Sequence, residues 1–163
     1  MSMRKAFICL HTAILLAGGT GLFGRLITLT ELPLVWYRMM FALILLIPIL
    51  WFRGQFPRLP FRQLCEIAGC GMLLAVHWIF FYGSIQASNV SIGVICLTLV
   101  SCFTAILEPL LTKSKPRWIE LLLSMLPVLG IVLIFQLDVR YRTGILLGIA
   151  SSAACAFFSI GSK

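Results

Sequence analysis

Six apolar runs follow one another along the sequence, at 6–29, 34–52, 64–85, 90–111, 118–137 and 144–160, and they constrain the fold more than any other feature. As helices rising about 1.5 Å per residue they suit a bilayer core of about 30 Å, the last at minimal length. Of the 163 residues, 61% are hydrophobic and only 11% charged, and no soluble domain of this size could hide so much apolar surface. The sequence therefore predicts an all-α, polytopic transmembrane helix bundle of six spans, solvated by the lipid bilayer.

The net charge of +8 does not point to nucleic acid, because the basic residues are few and lie between the spans. They set orientation instead. With the amino terminus cytoplasmic, the inner side carries Arg4, Lys5, the Arg53, Arg58 and Arg62 loop, the Lys113, Lys115 and Arg117 loop, and Lys163. The outer loops carry Arg140 and Arg142, while Arg25 and Arg38 lie within spans. This asymmetry predicts a multi-pass protein of the cytoplasmic membrane with its amino terminus inside. Apolar character resumes beyond Gly18-Gly19-Thr20-Gly21, so an uncleaved first helix is expected rather than a signal peptide.

Only Gln86-Ala87-Ser88-Asn89 separates the third and fourth spans, which must be antiparallel neighbours, with Ser88 or Asn89 as N-cap of the fourth. The fourth span carries Ser91, Thr98, Ser101, Ala105 and Glu108 on one side. A polar stripe facing lipid is unfavourable, so it should face protein or a water-filled cavity. At similar depth lie His77, the glycines of the first span and Pro127, and polar groups and helix irregularities at one level are what a midplane solute cavity needs.

Each candidate has two readings. His77 either lines a cavity with Thr98 and Ser101 or joins helices through a hydrogen bond. Trp78 and Tyr82 either wall an amphipathic pocket or, for Tyr82, anchor at the interface. Arg25 and Arg38 either snorkel or form an outer latch with Glu31. Glu108, followed by Pro109, either takes a proton or cation or snorkels toward Lys113 and Lys115. Gly18, Gly21 and Gly24 recur every three positions and predict close helix packing or local unwinding. Glu66 with Arg62 and Glu120 with Arg117 are expected as local ion pairs. The six cysteines read as apolar fillers. No catalytic, nucleotide-binding, cofactor or metal motif is present, so no enzyme, cofactor or metal is expected.

A further echo joins Gly18–Gly24 to Ala153–Ser159: small, small, any, small, apolar, Phe, small. The offset spans five helices, and an odd number inverts the second copy, as in the inverted repeats of secondary transporters.

Trp78-Ile79-Phe80-Phe81-Tyr82-Gly83-Ser84-Ile85-Gln86-Ala87-Ser88, Val90-Ser91-Ile92-Gly93-Val94 and Ala105-Ile106-Leu107-Glu108-Pro109-Leu110-Leu111 resemble the EamA-type permeases of the drug/metabolite transporter superfamily. So do Gly24-Arg25-Leu26 and Tyr37-Arg38. The resemblance implies half of a ten-helix inverted-repeat transporter moving a small organic solute. Residues 1–142 would be a five-helix repeat and residues 143–163 the first helix of a truncated second one. Half of the shared cavity would then be missing, so either the chain is a fragment or truncated product, or a partner, a second half-transporter or a homodimer, supplies the rest. The alternatives are a non-transporting membrane subunit or assembly partner, and a six-helix membrane enzyme such as a lipid head-group transferase.

Overall fold

In the computed structural model, which describes residues 3–54, 59–115, 118–137 and 139–163, the apolar runs are helices. These are α1 (Met3–Leu26), α2 (Glu31–Phe52), α3 (Phe61–Ala87), α4 (Val90–Leu97), α5 (Leu99–Thr112), α6 (Trp118–Leu137) and α7 (Arg142–Gly161), the last preceded by a 3-10 turn at Val139–Tyr141. Five spans, α1, α2, α3, α4 with α5, and α7, are long and apolar enough to cross a membrane; α6 has a shorter described apolar stretch, Trp118–Leu133. Arg58 and the Arg117 partner expected for Glu120 lie outside the described residues.

Local signals explain the starts of α2 and α4. Pro33 stands in the first turn of α2, where a missing N–H is no loss. Asn89 is extended and its side chain accepts the Ile92 N–H at 2.9 Å, capping α4. Asn89→Ala is expected to destabilise the bundle by about 1 kcal/mol, and Asn89→Asp to leave it nearly unchanged, as thermal unfolding in detergent would record. At the end carrying Arg62, Lys113 and Lys163, Arg62 pairs with Glu66 at 3.1 Å.

The span read from sequence as one helix is broken at Thr98. Its N–H bonds back three residues to the Ile95 carbonyl at 3.0 Å, and Ser101 N–H does the same to Thr98 at 3.3 Å. The side chains reinforce this: Thr98 Oγ1 donates to Ile95 O at 2.5 Å and Ser101 Oγ to Thr98 O at 2.7 Å. Hydroxyls that compete for backbone carbonyls bend and tighten a helix at that point.

The bundle is organised around α7, which runs antiparallel along α3 and also packs on α4 and α5. Its contact line is Gly144, Gly148, Ser152 and Ala156, four residues apart and all buried. Small side chains at that spacing let helix backbones approach where lipid supplies no hydrophobic drive. An added Cβ on Gly148 would lie 2.5 Å from Cys96 Cβ, so α4 and α7 touch with no room to spare. Serines fasten the contact: Ser84 Oγ donates to Gly144 O at 2.7 Å, and Ser152 Oγ to Cys96 O at 2.6 Å. Ile92, Cys96, Leu99, Ile131 and Ile145 fill the space between α4, α5, α6 and α7. By contrast α1, α2 and α6 present long rows of exposed leucine, isoleucine and phenylalanine, the surface a bilayer solvates.

Candidate functional site

The expected site residues fall into two groups. On α3, His77, Trp78, Phe81 and Tyr82 form one aromatic cluster: Trp78 meets His77 edge-on at 5.1 Å and stacks on Tyr82 at 5.7 Å. On the fourth span, Thr98, Ser101 and Glu108 occupy the other face of the helix from Ile92, Cys96, Leu99 and Cys102, which are buried. Among the described residues no hydrogen bond, ion pair or ring contact joins the two groups.

His77 sits in the contact between α3 and α7. Its Nδ1 is 3.0 Å from the Ser151 carbonyl, and Ser151 Oγ donates to the His77 carbonyl at 3.0 Å. A carbonyl can only accept, so Nδ1 is the donor to it, and the two residues exchange hydrogen bonds across the contact. Ser151 Oγ, 2.9 Å from Nδ1, then shares that proton as a second acceptor. Among the described residues Nε2 makes no hydrogen bond, and no sealed side-chain nitrogen or oxygen lacks a partner. One face of the ring thus fixes helices while Nε2 keeps some open surface.

Ser91, Thr98 and Ser101 are exposed, and Ala105 and Glu108 half-buried. This stripe borders a cleft of about 530 Å³ between α5 and α6, lined by Ser101, Thr104, Glu108, Glu120 and Ser124. The cleft continues into a second volume of about 340 Å³ with Ser114, Lys115 and Lys163 on its walls. Glu108 forms an ion pair with Lys163 at the end of α7, not with Lys113 or Lys115. The pair ties α5 to α7 at the mouth of the cleft.

Tyr82 and Trp78 face α2, and the residue that meets them is Arg38. Its Nη1 donates to the Tyr82 hydroxyl at 2.8 Å, and its guanidinium carbon lies 3.6 Å from the centre of the Trp78 ring. Arg38 therefore turns inward rather than snorkelling, through a hydrogen bond and a cation–π contact. Of the α1 glycines, Gly24 faces Tyr82, where an added Cβ would come within 2.5 Å of the ring, and Gly21 faces Val90 at 3.3 Å. A Cβ on Gly18 would meet nothing within 4 Å.

Sequence reasoning passed over Arg38 as a site residue, and over Ser84, Ser151 and Ser152. The four-residue recurrence of Gly144, Gly148, Ser152 and Ala156 was a usable signal for Ser152. Nothing in the sequence pairs Arg38 with Trp78, because that depends on how α2 and α3 are rotated.

A bundle of apolar helices with a polar face turned away from its own packed interior defines a multi-pass membrane protein in contact with the lipid bilayer. Residues 4–136 match the profile of the EamA-like transporter family. The chain belongs to that family, whose members are transporters of the drug/metabolite superfamily, and it is a membrane transporter by that membership. Comparison with curated proteins and with solved structures gave no match.

Proposed function

We propose that this chain is the amino-terminal repeat and the first helix of the second repeat of a permease for small organic metabolites or drugs. It sits in the cytoplasmic membrane with its amino terminus inside, and works by rocking about a site near the bilayer midplane. The observation that carries the reading is the exposed face of Thr98 and Ser101 at a helix break, with the opposite face of the same helix packed on α7. Irregular backbone and hydroxyls at membrane depth belong where they line a cavity, not where they meet lipid. Thr98, Ser101 and His77 Nε2 supply polar contacts, Trp78 and Tyr82 an apolar wall, and Glu108 a carboxylate for a proton or cation.

The test is labelling in intact membranes with a water-soluble, membrane-impermeant thiol reagent, on a background without native cysteines. Thr98→Cys and Ser101→Cys are expected to react much faster than Leu45→Cys, which sits on the exposed apolar side of α2. Equal, negligible labelling at all three positions would show that the stripe is dry and the solute cavity lies elsewhere.

A further inference from the structure

We propose that Arg38 and Tyr82 together receive the oxyanion of a small organic acid, whose apolar body lies in the cleft between α1 and α2. The proposal rests on the transporter reading and narrows it to a class of solute.

A guanidinium has five N–H donors and keeps its charge at any physiological pH. Among the described residues Arg38 commits one of these donors, to the Tyr82 hydroxyl. Its charge faces the Trp78 ring, and among the described residues no carboxylate lies within ion-pair distance of it. Glu31, the one acid on α2, forms no such pair. A cation held part-buried within a span, against neutral partners only, is expected to have an anionic partner in use.

The second donor is next to it. Having accepted from Arg38 at 2.8 Å, the Tyr82 oxygen keeps its own O–H to give. A guanidinium N–H and a phenol O–H that close together can grip one carboxylate or phosphate group with charge-assisted bonds. The arrangement is preformed. Gly24 leaves space for the Tyr82 ring that a Cβ would fill, and Trp78 stacks beneath that ring and beneath the guanidinium.

The space beside these donors has a volume of about 370 Å³ and is lined by Thr20, Leu34, Tyr37, Arg38, Phe41 and Tyr82. Its walls are largely aromatic and aliphatic, with Arg38 and the Tyr82 hydroxyl among the few polar groups. That combination selects a solute with a ring or short aliphatic body and one anionic head. The oxyanion of a lipid headgroup shares the chemistry, so the test separates the two sources.

Equilibrium dialysis of the purified full chain in a neutral maltoside detergent would use three probes of one shape: 3-phenylpropionate, 3-phenylpropanol and 3-phenylpropylammonium. The carboxylate is expected to bind at least about tenfold tighter than the alcohol, and the ammonium more weakly still. Arg38→Gln should remove that preference. Tyr82→Phe, which keeps the ring and its packing, should weaken the carboxylate by about fivefold or more and serves if Arg38→Gln does not fold. Equal binding of acid and alcohol, no binding of the acid at millimolar concentration, or full binding to well-folded Arg38→Gln would each overturn the proposal. So would displacement of the acid by dihexanoyl-phosphatidylglycerol at far lower concentration, which would assign the cleft to lipid. Binding needs no flux. Acid binding with no transport, even where copies are dense enough to associate or a second polypeptide is co-reconstituted, would therefore sink the permease reading alone, and transport of neutral or cationic solutes without acid binding would sink this one alone.

Discussion

Gly148→Val is expected to destabilise the bundle by about 3 kcal/mol or more and to deplete the folded protein after mild heating in detergent. The reason is local and steric. The first carbon of any side chain at 148 would lie 2.5 Å from Cys96 Cβ, 2.7 Å from Cys96 Sγ and 3.1 Å from Ser84 Oγ. A Cβ cannot swing aside as the end of a lysine can, so α4 and α7 must separate. Separation stretches the 2.6 Å bond from Ser152 Oγ to Cys96 O and opens the cluster around Ile92 and Ile145. The added methyl groups of valine find no void to fill. Gly130→Ala is the matched control, because a Cβ there meets nothing within 4 Å and alanine favours helix by about 1 kcal/mol. Size-exclusion profiles taken after stepped heating would compare the two. If Gly148→Val melted with the wild type, the close approach of α4 and α7 would be wrong.

That contact also marks where the sequence stopped being informative. Span positions were legible because hydrophobic length maps directly onto helix length in a bilayer. A cap at Ser88 or Asn89, the latter being the one that caps, was legible because a four-residue link leaves few alternatives. The break at Thr98 was not, although Thr98 and Ser101 were both singled out. Their spacing places them in a stripe on a straight helix, but each hydroxyl can also bond its own backbone, which pattern does not show. The glycines of α1 drew attention by their density, whereas the more tightly packed small residues are those of α7. Composition shows that small residues permit contact, but not which helix supplies the partner. For Glu108 the sequence offers a proton or cation, or the nearby Lys113 and Lys115, while its observed partner, Lys163, comes from the far end of the chain. Depth can be counted along a sequence. Rotation about a helix axis and the choice of neighbour come from packing.

Reconstituted so dilutely that each vesicle holds at most one copy, the chain is expected to show no solute flux above that of empty vesicles. The helices related by the sequence echo are unequally buried. Only 6% of the apolar window in α1 is buried, against 39% in α7. If α7 opens a second, inverted repeat, it does to α3, α4 and α5 what α1 would do to their counterparts. The exposure of α1 is then the imprint of helices that another segment must supply. The same reasoning applies to Thr98 and Ser101, whose hydroxyls satisfy neighbouring carbonyls yet stand exposed, Ser101 in a cleft whose facing wall is α6 and which stays open to the surroundings. A solute bound there would meet lipid on one side, and desolvation of its polar groups would oppose entry. A second copy of the chain would make flux rise with the square of copies per vesicle at low density, whereas a different polypeptide would restore it only on co-reconstitution. Linear flux that persists at one copy per vesicle would mean that these helices close a pathway unaided, and the half-transporter reading would have to be abandoned.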